Sequence, residues 1–132
     1  MTSTPLDAIK AYIDGFNAGD ADAMAAVFDV TGSILDGMAP HAWQGATAAR
    51  DWYRDVLTEG HLHGASNYFV TLAEPLHENI TDGYAYVALP ATMSFDLDGR
   101  SVMQSGAVMT MALRQRPEGW RITAWAWTKG QQ

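Results

Sequence analysis

The chain changes its hydrophobic period at residue 65, and few folds accommodate such a break. Before it, Leu6, Ile9, Tyr12, Ile13 and Phe16 recur at helical spacing and make one apolar stripe. Thr4 followed by Pro5 reads as an N-cap and a proline at the first helical position. Gly19 then stops that helix and Asp20 caps a short second one with Met24, Val27 and Phe28 on its inner side. A third helix over 46–59 turns Ala49, Trp52, Tyr53 and Val56 inward. After residue 65 come four strand-like runs, SNYFVTLAEPLHENI, YAYVALPATMSFDLDG, SVMQSGAVMTMALRQR and WRITAWAWTKG, with TDG, LDG and RPEG as the turns between them. Helices first and an antiparallel meander afterwards predict an α+β fold with the helices on one sheet face.

The 132 residues suit one domain spanning 1–132, and an apolar share of 48% excludes wholesale disorder. A formal charge of -7 argues against nucleic acid and against an anionic membrane surface as partners. Zero cysteines exclude disulfides, thiol catalysis and Cys-ligated zinc, which suits a cytoplasmic setting. The N-terminal stretch does not read as a signal peptide, and no apolar run approaches membrane-spanning length.

In WRITAWAWTK, strict alternation puts Trp120, Ile122, Ala124, Ala126 and Thr128 on one face and Trp125 and Trp127 on the other. With helices over the alanine face, Ala124 and Ala126 leave room for a cavity. The Trp face then needs its own cover, either loops of the same chain or, most simply, a second subunit in a homodimer.

Three motifs together resemble the nuclear transport factor 2-like superfamily, in its SnoaL-like and ketosteroid-isomerase-like branch: FNAGDADAMAAVF after the first helix, WQGATAARDWY after a short strand, and the closing GWRI. The resemblance covers nearly the whole chain. It implies a cone-shaped, curled antiparallel sheet with three N-terminal helices packed on its concave face, a pocket inside the cone, and dimerisation in many members. It also implies cofactor-free acid-base chemistry of the isomerase, cyclase or dehydratase type, or a purely binding or assembly role. Carried over by position, the family's base falls on Asp36 and its helix-one hydroxyl donor on Tyr12. The protonated late-strand Asp of the steroid isomerases has no counterpart, since only Thr110 offers a polar group between Met109 and Met111.

The residues themselves leave these roles open. Asp36-Gly37 is a strong turn signal, yet a carboxylate at the mouth of an apolar pocket makes a good base. Tyr12 lies on an apolar stripe, where its hydroxyl either meets a backbone carbonyl or faces a cavity. His63, at the expected start of a strand, is a candidate acid-base helper. With His61 it forms H-x-H, but no third metal ligand accompanies them. Phe16, Trp43, Trp52, Tyr53, Asn67, Tyr68, Met109 and Met111 are the candidate pocket walls, with Ala124 and Ala126. No nucleotide-binding, zinc-protease or nucleophile-elbow motif is present, so the enzymatic expectation is cofactor-independent chemistry on a small hydrophobic molecule.

Overall fold

Thr4 opens the first helix with a reciprocal cap. Its hydroxyl accepts from the Asp7 N–H (3.1 Å), and the Asp7 carboxylate accepts from the Thr4 N–H (3.2 Å), pairing two donors that a helix start leaves unsatisfied. The computed structural model describes residues 3–130. In it α1 (Pro5–Ala18) ends at Gly19, and the Asp20 carboxylate caps α2 (Ala21–Ala26). Then come β1 (Phe28–Leu35), β2 (Ala42–Gln44), α3 (Ala48–His63), β3 (Ala65–Leu72), β4 (His77–Thr81), β5 (Tyr84–Leu97), β6 (Arg100–Arg116) and β7 (Gly119–Thr128). The class is α+β, as the change of period requires.

The third helix continues past residue 59, through a GHLHG segment whose glycines read as a loop. Gly60 is instead a contact point: a Cβ there would sit 2.6 Å from the Tyr68 hydroxyl and 2.9 Å from the Ala65 carbonyl oxygen. The helix stops at Gly64, whose φ is 75°.

The strands form one curled, unclosed sheet in the order β2-β1-β7-β6-β5-β3, with β4 also paired to β5. β1 runs parallel beside β7, a pairing the meander pattern does not announce, and the remaining pairs are antiparallel. The first expected strand run is split around Pro75 into β3 and β4, both on β5. The β4–β5 and β5–β6 hairpins turn on Asp82-Gly83 and Asp98-Gly99, all four residues at positive φ, the arrangement that matches strand twist in two-residue loops. At the free edge of β3, the Asn17 side chain supplies a missing rung: it donates to the Val70 carbonyl (2.9 Å) and accepts from the Val70 N–H (2.7 Å).

The last strand departs from strict alternation. Ala112 pairs with Ala124, but Leu113 pairs with Ile122, so Thr123 is an extra residue on β7. Its hydroxyl donates to the Ala112 carbonyl (3.1 Å). One inserted residue reverses the in–out pattern beyond it. Trp120 and Ile122 before the bulge, and Trp125 and Trp127 after it, therefore share the inner, helix-covered side. Ala124 and Ala126 turn to the outer face beside Leu35 and Tyr86. This corrects the expected faces. Trp125, 3% exposed, and Trp127 are not an outer seat for a second subunit, and the two alanines do not line the interior.

The core fills the space between the helices and the inner sheet face, with Ile9, Met24, Ile34, Val87, Met111, Leu113 and Ile122 almost completely buried. At its edge Asp29, 5% exposed, accepts two bonds from the Arg116 guanidinium (2.9 Å each) and one from the Thr31 hydroxyl (2.6 Å). The Arg116 bonds, with those from Thr31, hold the Asp29 carboxyl well below its ordinary value of 3.8, against the opposing effect of burial. A depressed folded-state pKa contributes stability that is complete above the unfolded value and fades as pH falls through that range toward the folded one. Urea unfolding of Asp29→Asn should show a loss of about 3 kcal/mol at neutral pH, and a shallower decline than the parent chain below pH ~4.

Candidate functional site

Between α1, α3, the loop after β1 and the inner faces of β3, β5, β6 and β7 lies a cavity of about 640 Å³. Phe16, Val56, Met93, Phe95, Met109 and Trp127 supply much of its apolar wall. Tyr12 and Asp36 are among the oxygen-bearing side chains that line it, with Glu59, Tyr68, Gln104 and Ser105. Tyr12 reaches in from the middle of α1, and Asp36 from the loop that follows β1.

Each is held by an indole. Trp52 Nε1 donates to Asp36 Oδ2 (2.9 Å), and Trp125 Nε1 donates to the Tyr12 hydroxyl oxygen (3.0 Å). The two indoles pack edge to face, centroids 4.8 Å apart at 89°, a favoured aromatic geometry. The Gly37 N–H completes the Asp36 contacts by donating to Oδ1 (2.8 Å).

The chemistry follows from the donor inventory. An indole nitrogen only donates, so Tyr12 is the acceptor in its bond to Trp125 and keeps its own proton for another partner. Burial pushes the Tyr12 phenol well above its ordinary 10.0; the Trp125 bond opposes this, and the charge of Asp36 adds to it. Tyr12 is therefore a neutral hydrogen-bond donor across the physiological range. Asp36 is an acceptor with lone pairs left over after its two bonds.

Asp36 also makes a turn. Its N–H donates to the His41 carbonyl (3.0 Å), and the His41 N–H donates to that of Met38 (2.9 Å), closing the loop. The backbone does one thing and the carboxylate another.

Of the other expected residues, Phe16, Trp52, Tyr68 and Met109 line the cavity with Asp36 and Tyr12. His63 does not. It lies exposed on the last turn of α3, bonded to Glu59 (3.0 Å), because the helix outlasts its expected end. Trp43 is buried on β2 with its indole donating to Asp55 (2.9 Å). Tyr53 packs edge-on to Phe16 outside the cavity. Met111 belongs to the core rather than the cavity. Asn67 is turned outward by a bulge: Ser66 pairs with Asp96 and Phe69 with Ser94, and Asn67, at φ 57°, donates to Asp96 (2.8 Å). Among the described residues no group of three or more His, Asp or Glu is placed to hold a metal, and no helix is long and apolar enough to cross a membrane. Sequence reasoning missed the inward roles of Trp125, Trp127, Gln104, Glu59 and Lys129.

The family model described as SnoaL-like domain matches residues 6–126. The chain is a SnoaL-like domain. Solved structures of nuclear transport factor 2-like proteins share its fold. A superfamily protein from Salmonella enterica superposes with a TM-score of 0.78 at 15% identity, covering 96% of this chain and 88% of that one. A hexachlorocyclohexane dehydrochlorinase from Novosphingobium barchaimii gives 0.78 at 12%, covering 94% and 82%. A ketosteroid isomerase-like protein from Erwinia carotovora atroseptica gives 0.71 at 18%, covering 92% and 90%. At such identities the likeness is one of fold. No curated protein matches the SnoaL-like chain in sequence.

Replacing Trp125 by Phe keeps the ring stack but removes the donor to Tyr12. Urea denaturation should report a loss of about 1–2 kcal/mol, and Trp127→Phe, which removes no such bond, should cost less.

Proposed function

We propose that this SnoaL-like domain binds a small, largely apolar carbonyl compound and moves a proton on it without a cofactor. The observation that carries the reading is the shared cavity of Asp36 and Tyr12, each oriented by its own indole donor. Asp36 takes a proton from the carbon next to the carbonyl, and the C–H electron pair becomes the double bond of an enolate. The negative charge that builds on oxygen is met by the Tyr12 O–H, which is spent on no acceptor among the described residues. Return of the proton to another carbon completes an isomerisation. Loss of a group from the neighbouring carbon completes an elimination. The structural relatives include a dehydrochlorinase and a ketosteroid isomerase-like protein, which fits this class of chemistry. A cytoplasmic setting fits the absence of cysteine.

At the late-strand position of the steroid isomerases' second, acidic oxyanion donor, β6 lines the cavity with Ala107 and Met109, and neither carries an acid. The domain is accordingly expected to work on carbonyl compounds acidic enough to need one donor.

Incubation with a panel of enolisable ketones and lactones in deuterated water should reveal deuterium at the carbon next to the carbonyl. Asp36→Asn should lower that rate by about 10²–10⁴-fold while ligand affinity and the unfolding midpoint hold. Binding without exchange in the parent chain would reduce the domain to a ligand carrier, and exchange that survives Asp36→Asn would overturn the assignment of Asp36 as the base. Tyr12→Phe should cost about 10²–10³ in kcat with little change in KM. Because the Tyr12 phenol lies above its ordinary range, the alkaline limb of the pH profile should be unchanged in that variant.

A further inference from the structure

The bulge that brings Trp125 and Trp127 inside also brings in a charge. Lys129 follows Trp127 by two residues and lines the same cavity, the only basic side chain in that lining among the described residues. No carboxylate of the described residues lies within ion-pair distance of it. Its course is built in. Gly37 does not have the positive φ that would demand a glycine. A Cβ there would collide with Lys129 Cε and lie 3.1 Å from Nζ. The missing side chain at position 37 is the space through which the lysine crosses the Asp36 turn.

A second donor lines the same cavity. Met93 pairs with Gln104 and Ala91 with Ala107, so β6 carries an extra residue at Ser105-Gly106. Gln104, just before this bulge, faces inward with Met93, and its side-chain amide has no protein partner among the described residues. The chain after Lys129 is pressed onto the bulge: a Cβ at Gly130 would collide with the Ser105 carbonyl oxygen. Lys129 and Gln104 thus add an ammonium and an amide to the lining of a cavity whose other charged lining groups, Asp36 and Glu59, are acidic.

Building on the proposed function, we infer that the ligand carries a carboxylate, clasped by Lys129 Nζ and the Gln104 amide, with its apolar body lying between Trp127, Phe95 and Phe16. The molecule is acidic overall, so general electrostatics oppose an anion. Selection of an acid therefore falls to Lys129 and Gln104, and a charge-assisted hydrogen bond is about twice as strong as a neutral one.

The test compares 2-naphthylacetate with 2-naphthylacetamide, a matched acid and neutral amide, by tryptophan fluorescence titration of the full chain. The acid should bind about tenfold more tightly at low salt, and the preference should shrink as salt is raised. Lys129→Met keeps the stem and removes the charge, so it should erase the preference and leave the amide affinity unchanged. Lys129→Arg should retain it, and Gly37→Ala, which displaces the lysine, should weaken it. Asp36→Asn should preserve it, since the anchor does not depend on the base. Equal binding of acid and amide to the parent chain, or equal weakening of both by Lys129→Met, overturns the carboxylate anchor and leaves the pocket reading standing. Failure of both probes to bind the parent chain overturns both readings.

Discussion

The site hangs on a single surplus residue in the last strand. Without Thr123, alternation would place Trp125 and Trp127 outside and leave Tyr12 facing an alanine. With it, Trp125 reaches Tyr12, Trp52 packs on Trp125, and Asp36 is held by Trp52. Four side chains from four segments thus form one chain of contacts that starts at a bulge. The bulge is itself pinned by the Thr123 hydroxyl on the Ala112 carbonyl. Two indoles suit this task because each combines a large apolar surface, which excludes water, with one N–H that can be aimed.

What could be read from the sequence was what is decided locally. Thr4, Asp7 and Pro5 start a helix by chemistry contained in four residues, Gly19 stops it, and Asp-Gly pairs turn two hairpins. Strand faces are different, because alternation survives only while the register does. Bulges interrupt it at Asn67, at Ser105-Gly106 and at Thr123, and the β1–β7 register shifts between Phe28 and Ser33. Counting in twos puts Ala124, Ala126, Trp125 and Trp127 on the wrong faces, because each lies beyond the Thr123 bulge. Gly106 hints at its bulge, whereas a threonine in a run of strand formers gives no sign of one. His63 was misplaced for a related reason, since Gly60 serves a neighbour across the fold and not the helix that contains it.

Asp36 shows why two local readings need not compete. A turn residue is defined by its backbone and a pocket acid by its carboxylate, and nothing prevents one residue from being both. The loop from Asp36 to His41 fixes the main chain through its own hydrogen bonds, so the carboxylate is presented by a segment that needs no ligand to order it. Preorganisation of this kind is what makes an acceptor effective when charge moves.

The Asn17 contact with Val70 reaches beyond the cavity. β3 is the last strand in the sheet order, and an open strand edge invites backbone pairing with any other extended chain. By occupying both the N–H and the carbonyl of Val70, one amide side chain takes up a rung that an incoming strand would need. The same bond ties the end of α1 to the cavity's outer wall. Loss of Asn17 would therefore do more than loosen a helix: it would leave a sticky margin on the sheet, and the protein's resistance to aggregation would fall along with the definition of its pocket.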